Sequence, residues 1–153
     1  MTNKKLRLYM DAVCFGGLIV FLLSLWTVIP YFSQTSPAAL AAYCMMMVLL
    51  MVGCRMLPIY FAEDKTLEIS FVPVLACVIT SSPQLAVVLF GVSTLFTVMQ
   101  NPASKRYYSP LFKEPRKELF NTGNIVLSIA AGGAALMLFP PKSLASLAAL
   151  GMF

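Results

Sequence analysis

Histidine is absent from the 153 residues, and only six carboxylates are present. Without imidazole the chain lacks the side chain that ordinarily titrates near neutral pH and the usual nitrogen ligand for zinc. Charge of either sign is scarce: 11% of residues are charged and 59% are apolar, against roughly 25% and 45–50% in soluble domains. Gly-rich phosphate loops, CxxC pairs and carboxylate pairs inside apolar runs are missing too. Polar stretches never exceed about twenty residues, too few for a separate soluble domain. These absences argue against catalysis, metal binding or a cofactor within the chain, and for a protein that lives in a bilayer.

What is present is a series of apolar runs. They predict an all-α, polytopic transmembrane bundle of about six short helices in a single domain, 1–153, with spans near 12–32, 38–61, 67–82, 84–100 and 119–139. A last run, 144–153, covers about half a crossing, which suggests that the chain is the membrane portion of a longer protein. The stretch from Leu67 to Gln100 is almost uncharged and is divided by Ser81, Ser82 and Pro83. Proline removes a donor and biases the preceding residue away from helical geometry, so the pattern reads helix, tight turn, helix. Two crossings or one re-entrant hairpin both satisfy it.

The formal charge of +5 is explained by where the charges fall. Lys4, Lys5 and Arg7 precede the first run, Arg55 and Lys65 follow the second, and Lys105, Arg106, Lys113, Arg116 and Lys117 precede the fifth; only Lys142 has the other parity. The positive-inside bias then places the N-terminus on the cytoplasmic side, with ten of the eleven basic residues inside. Anionic headgroups are the expected partner of the basic, aromatic loop from Asn101 to Glu118, rather than nucleic acid. Cys14, Cys44, Cys54 and Cys77 read as small buried hydrophobes. Glu63, Asp64, Lys65 and Glu68 read as a solvated loop.

Several polar residues inside the runs are candidates for a site. Ser93 and Thr97 share one face of the fourth helix with Gln100. Asn121, Asn124 and Ser128, at spacings of three and four, form a polar stripe on the fifth, which Gly132 extends. Asparagine at membrane depth costs free energy unless it finds partners. Helix packing through the small pairs Ser128/Gly132 and Ala131/Ala135 is one account, and contact with a small-molecule ligand is the other. These small faces, and the Ala12/Gly16 pair, could also bring two copies together as a homodimer. Arg55 either snorkels to headgroups or meets a ligand carboxylate. Met45, Met46 and Met47 point three ways around the second helix.

Two segments resemble the membrane region that precedes the cytoplasmic domain of bacterial HD-GYP and related HD-domain signalling proteins. The first runs from Leu67 to Val92, with Ser70, Phe71 and Pro73 leading into a short helix and a proline turn into the next. The second runs from Lys113 to Gly132, with Leu119, Phe120 and Asn121, then Asn124, Leu127 and Ser128. This resemblance implies a membrane sensor and anchor ahead of a domain that hydrolyses a cyclic dinucleotide such as cyclic-di-GMP. The same Phe-x-Pro lead also resembles the substrate-binding components of energy-coupling-factor vitamin transporters. That likeness implies a cavity for a small vitamin-like molecule, although Thr80-Ser81-Ser82-Pro83 stands where those proteins usually have Phe-Gly-Pro, and the fourth run has no acidic residue.

Overall fold

The computed structural model describes residues 3–34, 36–56, 59–62, 65–67, 69–100 and 107–138. They are predominantly helical: α1 Asn3–Gln34, α2 Pro37–Met56, α3 Phe71–Thr80, α4 Pro83–Phe96, α5 Pro110–Lys113 and α6 Pro115–Leu138. Two small antiparallel ladders join them, β1 Ile59–Ala62 with β2 Lys65–Leu67, and β3 Met99–Gln100 with β4 Tyr107–Tyr108.

Several boundaries differ from the sequence expectation. The second helix ends at Met56, one residue past Arg55, because the chain turns there into the β1–β2 ladder instead of continuing to Phe61. Leu67 belongs to that ladder, so α3 starts only at Phe71 and is ten residues long. At the far end of α4, Thr97 is already extended and Met99 and Gln100 pair with Tyr108 and Tyr107. Glu63, Asp64 and Glu68, the loop from Asn101 to Arg106, and the run 144–153 lie outside the described residues.

The turn at Ser81–Pro83 forms as its residues dictate. Ser82 is the N-cap of α4, its hydroxyl accepting from the Leu85 amide at 3.2 Å, and Pro83 takes the first helical position, where its missing N–H costs no helical bond. At 1.5 Å per residue, α3 spans ~15 Å and α4 ~21 Å, both shorter than a ~30 Å hydrocarbon core. The tip of this hairpin is fixed by the Tyr43 hydroxyl, 2.8 Å from Thr80 Oγ1 and 3.2 Å from Ser81 Oγ. Tyr43 lies two turns inside α2, so the tip stops ~9 Å short of the α2 N-terminus.

Helix α4 is the centre of the bundle. Leu85 to Phe90 are all buried, and α4 touches α1, α2, α3 and α6. Helices α1 and α6 run parallel: Tyr9 stacks edge-on against Phe120 with ring centroids 5.8 Å apart, and seven residues further along Gly16 meets Leu127. Their closest approach is Gly17 on Gly123, where an added Cβ at Gly17 would lie 2.5 Å from the Gly123 Cα and one at Gly123 would lie 2.9 Å from the Val13 carbonyl oxygen. That contact, rather than the Ala12/Gly16 or Ser128/Gly132 pairs, seats α6 on α1. Met47 and Met51 face the core, whereas Met45 and Met46 are exposed.

Two helices, Lys4–Pro30 and Pro37–Met56, are long and apolar enough to cross a membrane, and only 17% of each apolar window is buried inside the protein. A core helix of a water-soluble fold would be mostly covered. Here Leu18, Leu22, Ile29, Met45 and Leu49 instead present broad apolar faces outward, the arrangement that hydrocarbon surroundings favour.

Candidate functional site

The most unusual group in the fold is a buried charge cluster at the end of the bundle where the basic residues gather. Arg55, 2% exposed, extends from the last turn of α2, and Glu118, 6% exposed, from the first turn of α6. A cation near a helix C-terminus and an anion near an N-terminus each complement the local dipole, so both helix ends favour the ion pair they carry. Arg55 Nη2 donates to Glu118 Oε1. Nη1 donates to Thr94 Oγ1 at 3.0 Å, and the guanidinium carbon lies 5.4 Å from the Phe90 ring centroid. Thr94 in turn donates to the Phe90 carbonyl at 3.2 Å and sits 3.3 Å from Thr122 Oγ1 of α6. Arg55 Nε has no partner among the described residues.

The cluster therefore ties α2, α4 and α6 together at one level. Burying two charges is expensive, and such a pair often stabilises no more than apolar residues of the same volume would. In some proteins such buried polar groups fix one packing among alternatives. An exposed counterpart, Arg116 to Asp11 at 2.6 Å, links α6 to α1 at the same end.

Beside the cluster lies an apolar cavity of about 290 Å³ between α1, α4, α5 and α6. Phe21, Gly91, Leu95 and Val126 line its body, and Thr94 and Thr122, the two hydroxyls nearest the ion pair, supply its polar end. A second cavity, about 260 Å³, lies beside the hairpin tip against Ser24, Thr27, Pro83 and Gly133.

The five residues singled out from the sequence fall into two groups that the fold does not bring together. Ser93 is buried on α4 and Thr97 is buried just past its end, and their hydroxyls donate to the carbonyls of Phe90 at 2.7 Å and Ser93 at 2.9 Å. Asn121, Asn124 and Ser128 lie on the exposed face of α6, with Ser128 donating to the Asn124 carbonyl at 2.8 Å. None of the five lines either cavity. Sequence reasoning missed the Arg55–Glu118 pair, although a signal existed. If successive helices alternate in direction, the end of the second run and the start of the fifth fall at the same end, and each carries a charge of opposite sign. Among the described residues no three His, Cys, Asp or Glu side chains converge as a metal site. No protein family, curated protein or solved structure matches the chain.

Proposed function

We propose that this chain is the membrane-embedded input and anchoring domain of a bacterial signalling protein, and that the Arg55–Glu118 cluster is the latch of its resting state. The observation that carries this reading is the position of the latch: it joins α2 and α4 to the first turn of α6, and its threonines form the polar end of the 290 Å³ cavity. An apolar occupant between α1, α4 and α6 would press on Thr94 and Thr122, and so favour a packing in which α6 is released from Arg55. It shifts the balance only by as much as it prefers one packing over the other. The domain spans the inner membrane several times with its N-terminus in the cytoplasm. The grouping of Arg55, Lys113, Arg116 and Lys117 at the end where α1 starts supports that orientation. The α3–α4 hairpin is re-entrant, consistent with its ~15 and ~21 Å helices. An output domain that cleaves a cyclic dinucleotide follows the membrane part, as the resemblance of Leu67–Val92 and Lys113–Gly132 implies.

The test fuses the full chain to a reporter output domain. Glu118→Gln should change output at unchanged membrane abundance, and an unrelated multi-span anchor in its place should lose the response. Equal output from that anchor would reduce the chain to a tether. The same cavity favours a second reading, the vitamin-binding component of a transporter. A small molecule retained through detergent extraction, and lost in Gly91→Leu, would select that reading.

A further inference from the structure

On α6, Asn121, Asn124, Ser128, Ala131 and Ala135 are spaced three, four, three and four residues apart, and all five are exposed. The opposite face of the helix, Gly123, Val126, Ile129 and Gly133, is buried against α1 and α4. Neither asparagine side chain has a hydrogen-bond partner among the described residues, and an added Cβ at Gly132, beside the stripe, would meet nothing within 4 Å. Apolar side chains such as Leu18, Leu22 and Ile79 are exposed elsewhere, and along the described part of α6 beyond Glu118 the exposed polar side chains, Asn121, Asn124 and Ser128, all fall on this one strip.

We infer that this strip is the seam of a parallel homodimer, occupied by α6 of a second copy of the chain. The inference rests on the membrane reading but not on signalling. A carboxamide carries two donors and an acceptor, so Asn121 and Asn124 can each satisfy the same residue of an identical helix across a two-fold axis, where an isologous contact pairs like with like. Two copies inserted the same way round are necessarily parallel. A 3.5-residue repeat is the seam of parallel left-handed supercoiled helices, in which each seam residue meets its own counterpart. Above the asparagines, Ser128, Ala131 and Ala135 are small enough to let the two backbones approach, the usual basis of association in lipid. At the level of Asn124 and above, a lipid tail offers none of these hydrogen bonds, and leaving an amide against it is costly; Asn121 lies lower, one residue past the Tyr9–Phe120 contact and near the exposed Asp11–Arg116 pair.

The test is disulfide cross-linking of the full chain in native membranes, with the four native cysteines replaced. Asn121→Cys, Asn124→Cys, Ser128→Cys and Ala131→Cys should each give covalent dimer, whereas Leu22→Cys and Ile79→Cys, also exposed but on other helices, should not. In bilayers, energy transfer between labelled copies should show Asn124→Leu weakening the dimer about 3- to 30-fold, the range of one interhelical polar contact, and Asn124→Gln retaining most of it. Membrane-inserted chain with equal cross-linking at Leu22→Cys and Asn124→Cys would overturn the seam. So would a cross-link within one chain from Asn124→Cys to Ser146→Cys. Recovery of the chain outside the membrane fraction would overturn the membrane reading as well, so the two failures are distinguishable.

Discussion

Replacing Glu118 by alanine probes the latch most directly. Arg55 is 2% exposed in the native fold; its Nε has no partner among the described residues, and the substitution takes the partner of Nη2 as well. What remains is the hydrogen bond to Thr94 and the Phe90 ring, the latter good for about 1 to 2 kcal/mol in a desolvated site. Breaking a buried pair from one side costs about 3–5 kcal/mol, which lowers the folded-to-unfolded ratio by roughly two to nearly four powers of ten. Arg55→Met alone should also be costly, because it strands the buried Glu118 side chain without its partner. The double variant Arg55→Met/Glu118→Leu should recover most of the loss, since apolar replacement of both partners is often neutral or stabilising. The assay is unfolding in mixed micelles followed by circular dichroism, read as a double-mutant cycle. Additivity of the two single losses within about 0.5 kcal/mol in the double variant would refute the latch, and so would a Glu118→Ala cost below about 1 kcal/mol.

Gly123→Val should separate α1 from α6, because a Cβ there lies 2.9 Å from the Val13 carbonyl oxygen. An overpacking cost of about 1–3 kcal/mol is expected, while Gly132→Ala, in open space, should cost nothing measurable by thermal unfolding. Ser82→Ala removes the cap on the Leu85 amide and should lower stability by about 1 kcal/mol, with Ser82→Thr retaining most of it in the same measurement. In intact cells lacking the native cysteines, Ser82→Cys should react with a membrane-impermeant thiol reagent far more slowly than Ser36→Cys, because the hairpin tip stops short of the α2 N-terminus. Equal rates would mean that the hairpin crosses fully.

Local chemistry was legible in the sequence, and distant pairing was not. The Ser82–Pro83 turn could be read because its cap and its proline act within one helical turn. That Met45 to Met47 point three ways followed from helical geometry alone, but which of them turns inward, Met47, did not. The polar face of α6 was also readable as a face, but the side of the bundle it would occupy was not. That depends on the rotation of α6 about its axis, which the Gly17–Gly123 contact sets. The same rotation explains why Ala12/Gly16 and Ser128/Gly132, equally good as small pairs in the sequence, are not the seat of α6 on α1. The ladder of Met99 and Gln100 with Tyr107 and Tyr108 needs the chain to return after six intervening residues, and no two-residue strand announces itself by period. Arg55 was read alone because its partner is 63 residues away.

That separation has a consequence for how the protein is made. A ribosome adds roughly 5–20 residues per second, so Arg55 is synthesised several seconds before Glu118 exists. During that interval the arginine at the end of α2 lacks the carboxylate it pairs with in the finished fold, and its side chain can reach toward water past the apolar surface of its own helix. The short α3 and α4 emerge in the same interval, before the α6 surface that helps to enclose them. The contact that ties α2 and α4 to α6 can therefore form only after Glu118 has been made. A chain stalled before residue 118 would expose both the unpaired arginine and the unsheathed hairpin, the features by which membrane quality control could recognise an unfinished protein.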